Sequence, residues 1–535
     1  MKKNRFYLFL VALLISMPFL MSSCGDDEEL ITPDEPTDEP IPTPENQTLP
    51  LEKSEYTIIF YGHGGGDLDA SILSNVNDLF LCNKKSYDKV HAVVQYKMSG
   101  TDGLTVAVED EDFDDDLDVK KYGHVTLRFV VDPSKDFSEM FYNDLDDISL
   151  PKKDIDIAST STLTDYIKWA VKNAPAEKYI LLLSDHGGGY SPEDELPMEN
   201  PTLSKGLIYD DGAYYDHFTA EKIVKAVQDA GIRPEVIYLD ACLMNTIEYQ
   251  YELKDITNYL VLSSFSVPGP GGDYVSLVNE LAKNSDIEKA LSKFGEATVK
   301  SWDEYLDEET NEKYFPYSDI SVIRTSDIDV FGYKWKEFTE QLIDAYQNGG
   351  DEVKAAINKV TAGTMPMECA YALYDMNYFA QQVIDAVPEQ FSSSFAKELS
   401  DAYDSYIVYR KASSELEKYG YKIGTSILFG CNNHFTSFSW DEDEDTGESF
   451  LDGYVFYEAD GTMRFFNNDG IQYDQSTWNG TFDNTYKKLK FDRLTNWSKW
   501  IEINEQEASA YSPSGLYYTI TENGFVPADG DELKK

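Results

Sequence analysis

Apolar residues in this chain fall into short unbroken runs, set between longer stretches where they recur every three or four positions. Residues 56–61 (Tyr-Thr-Ile-Ile-Phe-Tyr), 90–96, 125–131, 179–184 (Tyr-Ile-Leu-Leu-Leu-Ser), 236–239 and 259–263 form the runs. A run of this length that is apolar at successive positions predicts a strand covered on both faces. Between them, 162–171 and 219–230 carry helical spacing, and Gly231 and Pro234 mark the end of the second. Strand, helix, strand in this rhythm predicts an α/β fold with a mostly parallel sheet and helices on both faces.

Further along, 275–415 reads as mostly helical, with amphipathic stretches at 287–300 and 334–347. Residues 424–429 return to strand. Residues 440–485 are polar, aromatic and glycine-rich, and read as hairpins within an insertion over 430–485, before a last helix near 486–501. At 535 residues the chain has room for several domains or for one large α/β unit with additions. Its 42% hydrophobic and 14% aromatic content rules out wholesale disorder.

The first fifty residues differ from the rest. Lys2, Lys3 and Arg5 precede an apolar run from Phe6 to Leu20, the pattern of an export signal spanning 1–23. Met-Ser-Ser then leads to Cys24 and Gly-Asp-Asp-Glu-Glu. Small residues before a cysteine resemble the bacterial lipobox, and the acidic run after it resembles the surface-export signal of Bacteroidetes lipoproteins. That resemblance implies lipidation of Cys24 and residence in the cell envelope, at the outer membrane, periplasmic or surface-exposed. Residues 24–51, with Pro33, Pro36, Pro40, Pro42, Pro44 and Pro50 among acids, read as an extended tether.

The formal charge is −52, from 45 basic and 97 acidic residues. Nucleic acid and anionic lipid both need basic surface, so neither is an expected partner, and the lipid alone would meet the membrane. The acidic tracts 109–118 and 441–445 read as exposed loops. They leave calcium open, but neither has the spacing of an EF-hand, and no other cofactor or metal is expected. Five cysteines, Cys24, Cys82, Cys242, Cys369 and Cys431, are scattered without CxxC spacing, so no zinc site is expected.

Two strands end in reactive residues. One runs Leu181-Leu182-Leu183-Ser184-Asp185-His186-Gly187-Gly188-Gly189, the other Val236-Ile237-Tyr238-Leu239-Asp240-Ala241-Cys242. In open α/β sheets the functional crevice lies beyond the carboxyl ends of the strands. If these strands are neighbours, His186 and Cys242 share that crevice. A free thiol is mostly protonated at neutral pH, and an imidazole can take its proton and later pass one to a leaving amine. The Gly187 amide can point at a developing oxyanion. The Cys242 amide is a second candidate donor, on the expectation that a helix starts after it. Taken singly, a cysteine at a strand end is usually a core residue and a His-Gly-Gly-Gly run is usually a turn; the pair, in this order, carries the chemical reading.

With these motifs the sequence resembles the clostripain family of cysteine peptidases, which have the caspase-like fold. The central matches are Asp185 to Gly189 and Leu239-Asp240-Ala241-Cys242-Leu243-Met244, with weaker ones scattered from 52 to 505. The resemblance implies a three-layer α/β/α peptidase domain over 52–505, followed by a tail at 506–535. It implies an endopeptidase that cleaves protein or peptide substrates after Arg, or Lys, through a Cys242–His186 dyad and a thioester. It also implies that Asp240 lines the primary specificity pocket, where a carboxylate would pair with a guanidinium. Where many relatives carry an acid, this chain has Phe265-Ser266-Val267-Pro268, and Asp273 is the nearest substitute. Family members are often cleaved between the two motifs, which makes the bond after Lys205 a candidate for autoprocessing.

Of the six histidines, His91 and His124 read as packing residues, and His217 and His434 as loop residues. His63 also opens a His-Gly-Gly-Gly run and competes with His186, but it falls in the first loop, where the family has no catalytic histidine. The same run occurs in α/β-hydrolase esterases, whose Gly-x-Ser-x-Gly elbow is missing here. A lipoprotein that kept the scaffold for binding alone is the non-enzymatic alternative, since fold does not dictate activity. A related peptidase with a non-basic preference is another.

Overall fold

The computed structural model describes residues 50–528, except 102, 105–118, 144, 152–153, 191–205, 213–215, 307–312, 314–317, 364–372, 419–423, 429–435, 443–448, 458–462, 468–471, 475–485, 509–516 and 522–523. The export signal, Cys24, nearly all of the tether, the 109–118 tract, Lys205, Cys369, Cys431 and His434 lie outside the described residues, as does much of 430–485. Two compact units emerge, one from 50–329 with 403–425, the other from 330–402 with 426–528.

The first unit is built on an eight-stranded sheet. In chain order its strands are β1 (Ser54–His63), β2 (Val90–Lys97), β3 (Thr126–Val130), β4 (Ala176–Ser184), β5 (Val236–Asp240), β6 (Tyr259–Leu262), β7 (Asp319–Arg324) and β8 (Ile407–Ala412). Their spatial order is β8-β7-β6-β5-β4-β1-β2-β3. β2, β1, β4, β5 and β6 are mutually parallel, and β3, β7 and β8 join antiparallel at the edges. All six apolar runs are strands, and the α/β expectation holds.

The sheet is covered on both faces, which is why its central strands contain unbroken apolar runs such as residues 58–61 and 180–183. Ile58 and Phe60 of β1 share a core with Ile72, Leu73 and Val76 of α1 (Asp69–Phe80), Tyr274 of α5 (Tyr274–Lys283) and Phe294 of α6 (Ile287–Glu304). On the opposite face the Tyr61 ring lies 5.7 Å from Tyr166 of α2 (Thr160–Asn173). Local signals set the helix ends. Thr219 caps α3 (Ala220–Ala230) through the Lys222 amide, and Gly231 closes it at φ 72°. Thr246 caps α4 (Ile247–Leu253) through the Tyr249 amide.

β7 and β8 fall inside the stretch expected to be mostly helical. β8 is an edge strand that is half-buried over most of its length, so it lacks the apolar run that marks the central strands. The second unit is largely helical, with an aromatic core of Trp335, Phe338, Phe379, Phe391, Trp497 and Trp500. It also holds a four-stranded antiparallel meander between Thr436 and Asp474. No helix among the described residues is long and apolar enough to cross a membrane.

Candidate active site

β4 and β5 are parallel neighbours, and Ser184 stands opposite Asp240 in their register. The chains leaving these positions therefore start side by side at the carboxyl edge of the sheet, carrying His186 and Cys242. The two turns touch through their backbones. A Cβ placed on Gly187 would sit 2.5 Å from the Cys242 carbonyl oxygen and 3.1 Å from its nitrogen. Only glycine allows that approach.

Cys242 lies in a turn, and the helix expected directly after it does not form there. Leu243 adopts φ 64°, which breaks helical geometry, and α4 begins only at Ile247 behind its Thr246 cap. The Cys242 amide accordingly gains nothing from a helix dipole. The turn is held from the side: the Leu243 amide donates to Phe265 O at 3.1 Å, and the Asn245 amide to Ser263 O at 2.8 Å. Asp319, 1% exposed, anchors that supporting segment by accepting from the Ser264 and Phe265 amides at 2.8 and 2.9 Å. Burial pushes the Asp319 carboxyl up to about 6, against the pull of these donors. Cys242 Sγ lies 3.3 Å from the Val267 amide, which donates to it, and 3.9 Å from the Val267 carbonyl, to which the thiol can donate.

The His186 ring reaches the surface, and its Nε2 lies 2.7 Å from Asp67 Oδ1. Burial disfavours the imidazolium, but the Asp67 hydrogen bond and the charge of Asp185 outweigh it and raise the His186 pKa. Asp185 itself is buried. Its carboxylate accepts from the His186 amide at 2.6 Å and the Tyr209 amide at 3.0 Å, and burial pushes it up to about 7 while His63 and His186 pull it down. The His186 carbonyl receives the amide of Ile208, a β-branched residue at φ 52°. Positive φ at Leu243 and Ile208 is costly for such side chains, and both lie against the two reactive motifs.

His63 sits at the same sheet edge but is fully buried. Its Nδ1 is 2.9 Å from Lys97 O and its Nε2 is 2.9 Å from Asp211 Oδ1. Burial works against its charge, yet Asp211, Asp185 and Asp210 raise it to about 9. The Asp211 amide also donates to Nε2 at 3.2 Å, so the ring is held at both nitrogens. Ligating atoms of His63, Asp210 and Asp211 lie within 4.8 Å of one another, as a metal would need. The Lys97 ammonium, however, is bound to Asp210 and Asp154, each at 2.7 Å. Asp210 is thus already paired with a buried ammonium and Asp211 lies against the His63 ring, so the donor set fits an ion-pair cluster better than a divalent metal.

Two expected specificity residues are engaged elsewhere. Asp240 is 4% exposed. Its carboxylate accepts from Tyr238 Oη at 2.8 Å, Tyr274 Oη at 2.5 Å and the Gly272 amide at 3.1 Å. It is not an open pocket floor in this conformation, and burial raises its pKa despite these donors. Asp273 is the N-cap of α5, accepting from the Ser276 amide at 2.8 Å through Oδ1. His217, expected in a loop, is a buried residue of a short strand pair with 207–209. Cys82 is buried, and burial pushes its thiol up to about 12, which leaves it unreactive beside Cys242. Sequence reading missed Asp67. The one available signal was an acid within a glycine-rich loop at the sheet's functional edge.

The profile of the clostripain family matches residues 138–502, well over half of the chain and including both motifs. Clostripain of Hathewaya histolytica is 23% identical over 250 residues, covering 43% of this chain and 43% of that protein, so the match spans less than half of the relative. Among solved structures, a secreted C11 cysteine protease from Bacteroides thetaiotaomicron superimposes with a TM-score of 0.50 at 14% identity, over 83% of this chain and all of the other. At that identity the superposition speaks for the fold. The family profile, laid over a sheet that delivers His186 and Cys242 to one edge, makes this chain a member of the clostripain family.

Proposed function

We propose that the protein is a cysteine endopeptidase in which Cys242 is the nucleophile and His186 its proton-transfer partner. The observation that carries this reading is the β4–β5 register, which starts both reactive turns at adjacent positions. In the reaction, His186 takes the thiol proton and the Cys242 sulfur attacks the scissile carbonyl. The amides of Gly187 and Cys242 are the proposed donors to the oxyanion. His186 then protonates the departing amine, leaving a thioester that water hydrolyses as His186 accepts its proton. Purified protein incubated with a proteome-derived peptide library should yield cleavage products that vanish in Cys242→Ala. Identical products from that variant would remove Cys242 from the mechanism.

The finer proposal is cleavage after Arg or Lys. It rests on Asp240, a carboxylate two residues before the nucleophile in a strongly acidic protein. Because its oxygens are engaged by Tyr238, Tyr274 and Gly272, a basic side chain must displace at least one of these donors to pair with it. A panel of Arg, Lys, Asn and Asp reporters tests this, and equal turnover of all four would refute it.

The engagement of Asp240 by neighbouring donors favours a latent form opened by cleavage after Lys205. The flanking chain supports this, since Gly187 and Leu207 pair directly beside His186. Production of two chains from Lys205→Ala would refute it. Attachment through a lipid on Cys24 is likewise our reading of the leader, and release of Cys24→Ser from the membrane fraction is its test.

A further inference from the structure

We propose that Asp67 is the positioning residue for His186: through its contact with Nε2 it fixes the ring and leaves Nδ1 as the nitrogen that exchanges a proton with Cys242. This rests on the peptidase reading above. Asp67 Oδ1 lies 2.7 Å from His186 Nε2, and the two side chains are 44% and 39% exposed, so the pair sits at the mouth of the crevice.

The loop carrying Asp67 is built to lie on the histidine. Gly65 and Gly66 adopt φ 52° and 90°, conformations that few other residues accept. A Cβ on Gly65 would fall 2.8 Å from His186 Cδ2 and 2.4 Å from Asp185 Oδ1, so the backbone there passes directly against the imidazole edge. The loop is fastened at both ends. The Gly64 amide donates to Lys97 O, and the Leu68 amide donates to Gly64 O at 2.6 Å. Just before it, His63 is locked by Lys97 O and Asp211. The buried ion-pair cluster thus has a consequence at the surface: it fixes the strand end from which the Asp67 loop springs.

The chemistry follows from the two ring nitrogens. A neutral imidazole carries one N–H, and its partner selects which nitrogen keeps it. With Nε2–H donating to Asp67, Nδ1 holds the lone pair that accepts the thiol proton. Once His186 is protonated, the Asp67 carboxylate opposes the new positive charge and so favours the thiolate–imidazolium pair. The other ionisable groups facing His186 are Asp185 beneath it, His63 on β1 and, in this reading, the Cys242 thiol. The competing account is an ordinary exposed ion pair, which would contribute little to anything.

Full-length Asp67→Ala, Asp67→Asn and Cys242→Ala separate these accounts, assayed for kcat, KM, pH profile and thermal midpoint on one reporter peptide. Acid–base catalysis by a positioned group supplies roughly 100- to 10,000-fold, so Asp67→Ala, which frees the ring, should lose at least about tenfold in kcat with KM and the midpoint nearly unchanged. Asp67→Asn keeps an acceptor but no charge. It should recover most of kcat at the optimum while its alkaline limb moves to lower pH. A parental kcat and pH profile for Asp67→Ala would overturn the positioning role and leave the peptidase reading intact. Full turnover by Cys242→Ala would overturn both.

Discussion

Ser184 and Asp240 are cross-strand partners on the adjacent parallel strands β4 and β5. His186 and Cys242 each follow two residues later, so one register relationship sets the starting points of both reactive turns. A slip in that register would separate them along the strand direction. The site therefore depends on the apolar core that fixes β4 against β5, not on any local motif alone.

Gly187 tests how tightly the two turns are packed. Its missing side chain leaves room for the Cys242 carbonyl and the Ala241 Cβ, which would stand 2.5 and 2.8 Å from a new methyl group. Gly187→Ala should lower kcat/KM by about 100-fold and destabilise the fold by about 1–3 kcal/mol, since the clash is with backbone that cannot rotate away. Steady-state kinetics and chemical denaturation check both figures. Parental activity would mean that the turns are less closely fitted than this geometry requires.

Asp240 should matter twice. Removing its carboxylate leaves two buried phenols and the Gly272 amide without an acceptor, so Asp240→Ala should cost about 3 kcal/mol. If basic side chains reach Asp240, the variant should also lose at least tenfold in selectivity for Arg over a neutral reporter. A loss of stability with selectivity intact would assign Asp240 to structure alone.

His63 gives a pH-dependent prediction. Its pKa of about 9 in the fold, against an ordinary 6.5, means that its contribution is complete below about 6.5 and fades as pH rises through 9. His63→Gln should therefore destabilise the protein at pH 6 by an amount on the order of 2 kcal/mol, and by clearly less at pH 9.5. Denaturant melts at the two pH values measure the difference. An equal loss at both would show that the imidazole acts through packing and not through charge.

The sheet was legible because β1, β2 and β4 to β6 are apolar at consecutive positions, a pattern that only burial on both faces explains. β7 and β8 were not, since Asp319, Ser321 and Arg324 in one and Arg410 and Lys411 in the other interrupt any apolar run. His186 and Cys242 were legible from their strand-end positions. The helix expected after Cys242 failed because Leu243 turns left-handed there, held by Phe265, a partner distant in sequence. Asp67 and Asp319 were hidden for the same reason. Each acts on a segment far away in the chain, and nothing local distinguishes either from the many surface acids.

The central claim is that Cys242 is the reactive sulfur and that His186 makes it so. The most direct measurement is peptide-mapped mass spectrometry of the protein after treatment with a peptidyl thiol-directed electrophile, followed over time for the parent and for His186→Ala. The account predicts one adduct, on Cys242, in step with loss of cleavage, with Cys82 unmodified and the His186→Ala rate lower by at least about 100-fold. Modification of Cys82 instead, or labelling of Cys242 at the same rate without His186, would contradict it.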